Sequence, residues 1–273
     1  MKQLVEKYFI DGEELKLVRE FNDFEKNSDV LVYEVLRVIS GVPLFLEEHL
    51  GRLQVSVIKA GIKRVIDLDS IKQNIFTLIK KNQTNKGNIR IDVSFTSEKE
   101  YVLLYFIPFK YPSEKDYKQG VRVGLFNAER KNPEAKTIQP NVREVANELI
   151  DSQNIFEVLL VDKHGYIREG SRSNVFFIKG NKVITPPLEI VLNGITRQKV
   201  IEILKTEICE FEEAPVLTTN LDSFDCIFLT GTSPKVLPVN KIRNREFDTQ
   251  NNIYAIVRNR YELLINQYIS ARK

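Results

Sequence analysis

Residues 157–197, EVLLVDKHGYIREGSRSNVFFIKGNKVITPPLEIVLNGITR, constrain the fold more than any other part of this chain. Turn-forming Asp-Lys-His-Gly and Lys-Gly-Asn-Lys interrupt apolar, β-branched runs, which predicts two hairpins in succession. Glu169 falls at a strand end, and Gly194 leads into a helix start. A carboxylate so close in sequence to a helix N-terminus suggests a cradle for a cofactor, because the first amides of a helix attract anions. Lys136, upstream of the stretch, is the candidate reactive amine.

The rest of the chain reads as scaffold. Asp11-Gly12, a pair that accepts the positive φ angles of a tight turn, predicts a hairpin joining residues 8–10 to 13–18. A second, β-branched hairpin is predicted from runs 30–39 and 42–46 around Ser40-Gly41. Helical spacing follows over 47–60, where Leu50, Leu53, Val57 and Ala60 share a face and Gly61 supplies the stop. A second helix, with Asp69 as candidate N-cap, turns Ile71, Ile75, Leu78 and Ile79 inward. Strands are expected at 88–95 and 101–108 around a turn at 96–100. Residues 109–120 show neither period and read as a linker. The expected organisation is therefore a smaller α/β domain over 1–110, an interdomain linker at 111–120 and a larger domain over 121–273. The larger domain takes a strand at 121–126, a helix carrying Val142, Ala146 and Leu149, and another helix over 199–208. Strands at 226–229 and 236–239 and a long amphipathic helix over 251–270 complete it. Lys136 falls just before the first of those helices.

Composition removes several function classes. Lys plus Arg number 40 against 37 Asp plus Glu, and a formal charge of +3 gives no reason to invoke nucleic acid. Two cysteines and two histidines are too few for a disulfide framework or a common structural zinc site, which fits a reducing cytoplasm. No run approaches the roughly 18 apolar residues of a membrane span, and the N-terminus lacks a signal peptide's apolar core, so neither insertion nor secretion is expected. Walker loop, nucleophile elbow, dinucleotide glycine pattern and metal cluster are all missing from the sequence.

The remaining parts are complementary. A pyridoxal phosphate enzyme needs a lysine for the Schiff base, a partner for the pyridine nitrogen, and backbone donors with a cation for the phosphate. Lys136 could serve as the first or be one more surface lysine. Glu169 could face the ring nitrogen or be a hairpin-end carboxylate paired with Arg168 or Arg172. Thr196, in Gly194-Ile195-Thr196-Arg197, reads as a phosphate contact or an ordinary N-cap. Arg52 reads as a phosphate ligand or a side chain snorkelling along a helix flank. Thr232 and Ser233 offer donors or simply make a good turn, and Arg90 pairs with a substrate carboxylate or with a neighbouring strand's acid. His49 reads as packed or helix-surface, and His164 as solvated.

Together these residues resemble the fold-type IV pyridoxal phosphate enzymes, the class of branched-chain aminotransferases, D-amino acid aminotransferases and aminodeoxychorismate lyases. The resemblance runs through Val32-Tyr33-Glu34-Val35-Leu36-Arg37, Glu48-His49-Leu50-Gly51-Arg52, Glu169-Gly170-Ser171-Arg172-Ser173-Asn174, Leu192-Asn193-Gly194-Ile195-Thr196-Arg197 and Phe228-Leu229-Thr230-Gly231-Thr232. It implies a two-domain α/β fold of the D-amino acid aminotransferase type with pyridoxal 5'-phosphate between the domains, and a homodimer. It implies Lys136 as Schiff-base lysine, Glu169 on the pyridine nitrogen, and Leu192 against the ring. Arg52, the Ile195 and Thr196 amides and Thr232 would hold the phosphate, and Ser233 and Arg90 the substrate carboxylate.

This sequence departs from the family pattern at three places. Asn27-Ser28-Asp29 lacks the glycine-rich approach to the first matched strand, Gln139-Pro140 stands where an Asn and a large residue are usual, and residues 244–250 replace a glycine-rich turn. The expected activity is amino-group transfer between an amino acid and a 2-oxo acid. A lyase on the same scaffold, or a homologue whose catalysis is altered, are the alternatives.

Overall fold

The structure, a computed structural model, describes residues 4–21, 30–96, 99–128, 140–206 and 209–273. They divide into two units, one drawn from Met1–Lys110 and Ile265–Lys273, the other from Tyr111–Glu134 and Gln139–Leu264.

The first unit begins with β1 (Val5–Asp11) and β2 (Glu14–Leu17), joined by the expected Asp11-Gly12 turn, followed by β3 (Val30–Ile39) and β4 (Val42–Pro43). Helices α1 (Leu46–Lys59) and α2 (Leu68–Asn82) precede β5 (Lys86–Phe95) and β6 (Glu100–Ile107). The sheet has the order β2-β1-β6-β5-β3-β4, with every neighbour antiparallel. Burial alternates along β3, as it must for a strand with one face covered. Val32, Leu36 and Val38 point into a core shared with Leu53 and Val57 of α1 and Ile71, Ile75 and Leu78 of α2. Each such side chain contributes about 1.5–3 kcal/mol when taken out of water. Glu34 lies in the same register, a carboxylate on the buried face.

Two differences from the sequence reading have a clear physical cause. The strand expected to reach residue 46 ends at Pro43, which has no N–H for a ladder, and Phe45 turns left-handed (φ 50°) to start α1. Asp67, not Asp69, caps α2: its side chain accepts from the Ser70 N–H at 2.9 Å, and Asp69 sits inside the first turn.

The second unit opens with α3 (Glu114–Gln119), inside the segment read as featureless. Ser113 and Asp116 form a reciprocal capping box, with Asp116 N–H to Ser113 Oγ at 3.2 Å and Ser113 N–H to Asp116 Oδ2 at 2.7 Å. Next come β7 (Val121–Asn127), α4 (Pro140–Ser152), β8 (Glu157–Val161), β9 (Tyr166–Gly170), β10 (Asn174–Lys179) and β11 (Lys182–Thr185). The two hairpins predicted within residues 157–197 are thus formed. Then follow α5 (Ile195–Leu204), β12 (Glu210–Glu213), β13 (Val216–Leu217), β14 (Cys226–Gly231), β15 (Lys235–Ile242), β16 (Arg245–Glu246) and α6 (Asn252–Ser270), which belongs to this unit through Leu264. Helix α5 begins at Ile195 after Gly194, the helix start read from the sequence, and so extends N-terminally beyond the 199–208 span of its apolar spacing.

The sheet order is β12-β11-β10-β14-β15-β7-β8-β9-β13, with β16 on β15. Parallel pairs join β15 to β7 and β7 to β8, so β8 is buried on both faces, as its unbroken apolar run demands. One face carries Leu159, Val175, Phe177, Ile227 and Leu229. On the other, Phe176 and Phe228 stack at 5.0 Å, and Tyr254 of α6 lies 5.8 Å from Phe228.

Candidate active site

The site in the second unit is built outward from a buried acid. Glu157, the first residue of β8, is only 3% exposed. Its Oε1 accepts from Val158 N (2.9 Å), Ser171 N (3.2 Å) and Ser171 Oγ (2.6 Å), and its Oε2 from Arg172 N (3.1 Å) and Ser173 Oγ (3.0 Å). Five donors on one carboxylate fix loop 171–173 between β9 and β10. Gly170 is required here, since a Cβ would lie 2.1 Å from Ser173 Oγ. The Glu-Gly-x-x-Ser-Asn signature is therefore a local knot, and its ends present Glu169 and Asn174.

Glu169 is as deeply buried as Glu157. Its Oε2 accepts from Leu192 N at 3.1 Å and from Asn174 Nδ2 at 3.4 Å. The same Nδ2 donates to the Leu192 carbonyl at 2.9 Å, which also takes the Gly194 N–H at 2.8 Å. The hairpin-end pairing does not form: Arg168 binds Asp162 at 2.5 Å, and Arg172 binds Asn147 of α4.

Gly194 is the N-cap of α5 and has no side chain to cap it, so the first amides of the helix, from Ile195 and Thr196, keep their donors for another acceptor. Thr196 is not the cap; its hydroxyl lies 3.3 Å from Tyr261 Oη. Arg197, 2% exposed, donates to Pro186 O (3.0 Å) and Glu213 Oε2 (2.6 Å) and pins the helix start to the sheet. In the β10–β14 ladder Asn174 faces Thr230, whose fully buried hydroxyl has no hydrogen-bond partner among the described residues. Thr232 and Ser233 occupy the three-residue loop between β14 and β15.

Lys136, like Gln139 and residues 27–29, lies outside the described residues. Helix α4, which follows it, is tied to the knot by Arg143 Nη1 to Ser171 O at 2.9 Å and by Asn147 to Arg172.

The first unit holds the two candidate-site arginines, Arg52 and Arg90. Arg52, on α1, is buried rather than snorkelling and makes a two-pronged bond to Glu34, Nε to Oε2 at 2.8 Å and Nη2 to Oε1 at 2.6 Å. His49, packed as expected, brings Nδ1 to 3.2 Å from the same carboxylate. Arg90 binds Asp92 at 2.7 Å on its own strand and lies 4.5 Å from the Tyr33 ring centre, while Tyr105 donates to the other Asp92 oxygen at 2.6 Å.

Spacing in sequence pointed to Glu169 and the α5 start because both are local. The roles of Glu157, Asn174 and Arg197 come from contacts across 11 to 18 positions; the available signal was their place inside the two motifs.

The second unit thus joins a buried carboxylate, a buried hydroxyl with no partner among the described residues, and an uncapped helix start. A Cβ at Gly194 would lie 2.2 Å from Asn174 Oδ1, so the cradle closes only around a glycine. An acid for a ring nitrogen and amides for a phosphate are the donor set pyridoxal phosphate requires. An α/β scaffold with this cradle defines an enzyme class, and comparison with known proteins agrees. Residues 31–242 match the amino-transferase class IV family. The chain is 32% identical over 237 residues to the "Probable branched-chain-amino-acid aminotransferase" of Thermotoga maritima, covering 84% of this chain and 83% of that one. It is 29% identical over 223 residues to the "D-alanine aminotransferase" of Bacillus licheniformis, covering 77% and 78%. The solved branched-chain amino acid aminotransferase of Escherichia coli shares its fold, with a TM-score of 0.86 at 19% identity over 96% and 95% of the two chains. The chain belongs to the class IV aminotransferase family. Its chemistry is accordingly pyridoxal phosphate-dependent amino-group transfer.

Proposed function

We propose that the protein transfers the amino group of a branched-chain amino acid to a 2-oxo acid, with Lys136 as the residue that holds the cofactor and moves the substrate proton. The observation that carries this reading is the Glu169–Asn174–Gly194 constellation, an acid registered against an anion-binding helix start. Pyridoxal phosphate, when bound, supplies the electron sink for the substrate's α-carbon. Glu169 would hold a proton on the ring nitrogen, and Leu192 would pack against the ring. The Ile195 and Thr196 amides and Thr232 would bind phosphate, and the family resemblance adds Arg52. Lys136 takes the α-proton and returns it. The Ser233 amide and Arg90 contact the substrate carboxylate, Arg90 sharing its charge with Asp92. The tie between α4 and the knot supports Lys136, because α4, the first described element after it, is held to the Glu169 loop through Arg143.

The substrate assignment rests on the names of the relatives, branched-chain first and D-alanine second. The break after Lys110 is in keeping with a smaller domain over 1–110 and a larger cofactor-binding one, although residues 111–120 go with the larger unit and 265–273 with the smaller. Both cysteines are free, in keeping with a cytoplasmic protein, and no described helix is long and apolar enough to cross a membrane. A homodimer is the proposed assembly, in keeping with the family resemblance, and is checked by light scattering.

Purification with pyridoxal phosphate, borohydride reduction and peptide mapping should find the label on Lys136. A label elsewhere sinks the assignment, and no label at all points to a catalytically altered homologue. Half-reactions with L-leucine, L-isoleucine and D-alanine should favour the branched-chain L-amino acids. Pyruvate release from aminodeoxychorismate would point to the lyase instead.

A further inference from the structure

We infer that Asn174 is a positioning residue for this reaction, setting the spacing between the acid that serves the cofactor's ring nitrogen and the helix start that serves its phosphate. The inference rests on the reading of the site given above. Pyridoxal phosphate would be held by its ring nitrogen and by its phosphate together, so the groups that would meet the two must be kept in register. In this chain they belong to different segments: Glu169 closes β9, and Ile195 and Thr196 open α5.

Asn174 touches both segments. Its Nδ2 donates to Glu169 Oε2 at 3.4 Å and to the Leu192 carbonyl at 2.9 Å, and its Oδ1 fills the space where a side chain at position 194 would stand. The bond to Leu192 is the shorter, and Leu192 in turn donates its own N–H to Glu169 at 3.1 Å. Asn174 therefore orients the carboxylate twice, directly and through Leu192. Its chemistry is specific to the task. Two acceptors face its nitrogen, so a donor is needed there; an aspartate would set a second negative charge against Glu169, and an apolar side chain would leave two buried acceptors short of a donor. At 5% exposure Asn174 is shielded from bulk water.

The test uses the pyridoxal phosphate-loaded enzyme and two variants, Asn174→Asp and Asn174→Ser. Cofactor dissociation constants come from absorbance titration, and the pH midpoint of the bound cofactor's visible band is recorded alongside. Asn174→Asp should bind the cofactor about tenfold or more weakly, the scale of losing a hydrogen bond to a charged group, and should move the pH midpoint. Asn174→Ser is neutral and sets no second negative charge against Glu169, so it should lose less than the aspartate variant on both readouts. Urea unfolding of the apo forms checks that the serine variant is folded. Wild-type affinity and wild-type pH midpoint in both variants would overturn the inference while leaving the site intact. Failure of the wild-type enzyme itself to load at Lys136 would remove the reading of the site first, and this inference with it.

Discussion

Asn174 and Gly194 meet with no room to spare, and that contact makes the most local prediction. A Cβ at position 194 would lie 2.2 Å from Asn174 Oδ1, closer than any real carbon contact. Gly194→Ala should therefore push the asparagine off Leu192 and Glu169, costing about 1–3 kcal/mol as overpacking does, and lowering cofactor affinity. The double variant Gly194→Ala/Asn174→Ala should lose less than the sum of the two single variants, because the clash is gone in the double. Strict additivity in urea unfolding and cofactor titration would mean the two residues do not share a contact. Arg197 shows the same principle in another form. The sequence marked it as the last letter of a motif, but its guanidinium serves Pro186 and Glu213 and leaves the helix amides to do the binding.

Among elements, α2 offers a direct check of its own boundary. Because Asp67 accepts from Ser70 N, Asp67→Ala should cost about 1 kcal/mol in chemical denaturation. Asp69→Ala removes only a favourable charge near the helix N-terminus and should cost about 0.3–1 kcal/mol at low salt, shrinking as salt is added. The β8–β9 hairpin carries a pH dependence. Desolvation pushes the Asp162 carboxyl upward, but the N–H groups of Tyr166 and His164 and the Arg168 guanidinium outweigh it and hold its pKa below the ordinary 3.8. A depressed acid pKa contributes stability that is complete above 3.8 and is lost as the pH falls through the lower folded value. Asp162→Asn should accordingly be less stable than wild type at neutral pH, and the gap should close in acid below 3.8; a gap independent of pH would remove the ion pair as its cause. Elements were mostly legible from the sequence where one period ran long enough. The alternation of Val32, Leu36 and Val38 and the helical faces of α1, α4 and α6 needed no tertiary information. Helix α3 was missed because six residues show no period, although Ser113 and Asp116 carried the capping spacing. The end of β4 and the cap of α2 were missed by two or three residues because apolar runs and acids repeat there, and only the backbone decides which one acts.

On the scale of the whole molecule, each sheet pairs strands far apart in sequence, and this is where reading by motif stopped. That Asn174 stands opposite Thr230, or that Glu34 of β3 receives Arg52 of α1, follows from topology that no local pattern encodes. Glu169 and the α5 start could be named in advance because residues 157–197 carry both; what joins them could not. A ligand that binds only the folded protein raises its stability by mass action, about 2.7 kcal/mol at 100 times the dissociation constant. Pyridoxal phosphate should therefore raise the thermal midpoint in a concentration-dependent way, and pyridoxal without the phosphate should raise it much less. Equal effects from the two would argue against the helix start as an anion site.

Glu157 has one more consequence. Its carboxylate is tied off entirely within the protein, on a strand buried on both faces, so the loop that aims Glu169 is shaped by the sheet's own folding. The apoprotein should emerge with its acid already aimed, and the vitamin-derived partner arrives as a late passenger and not as a folding template.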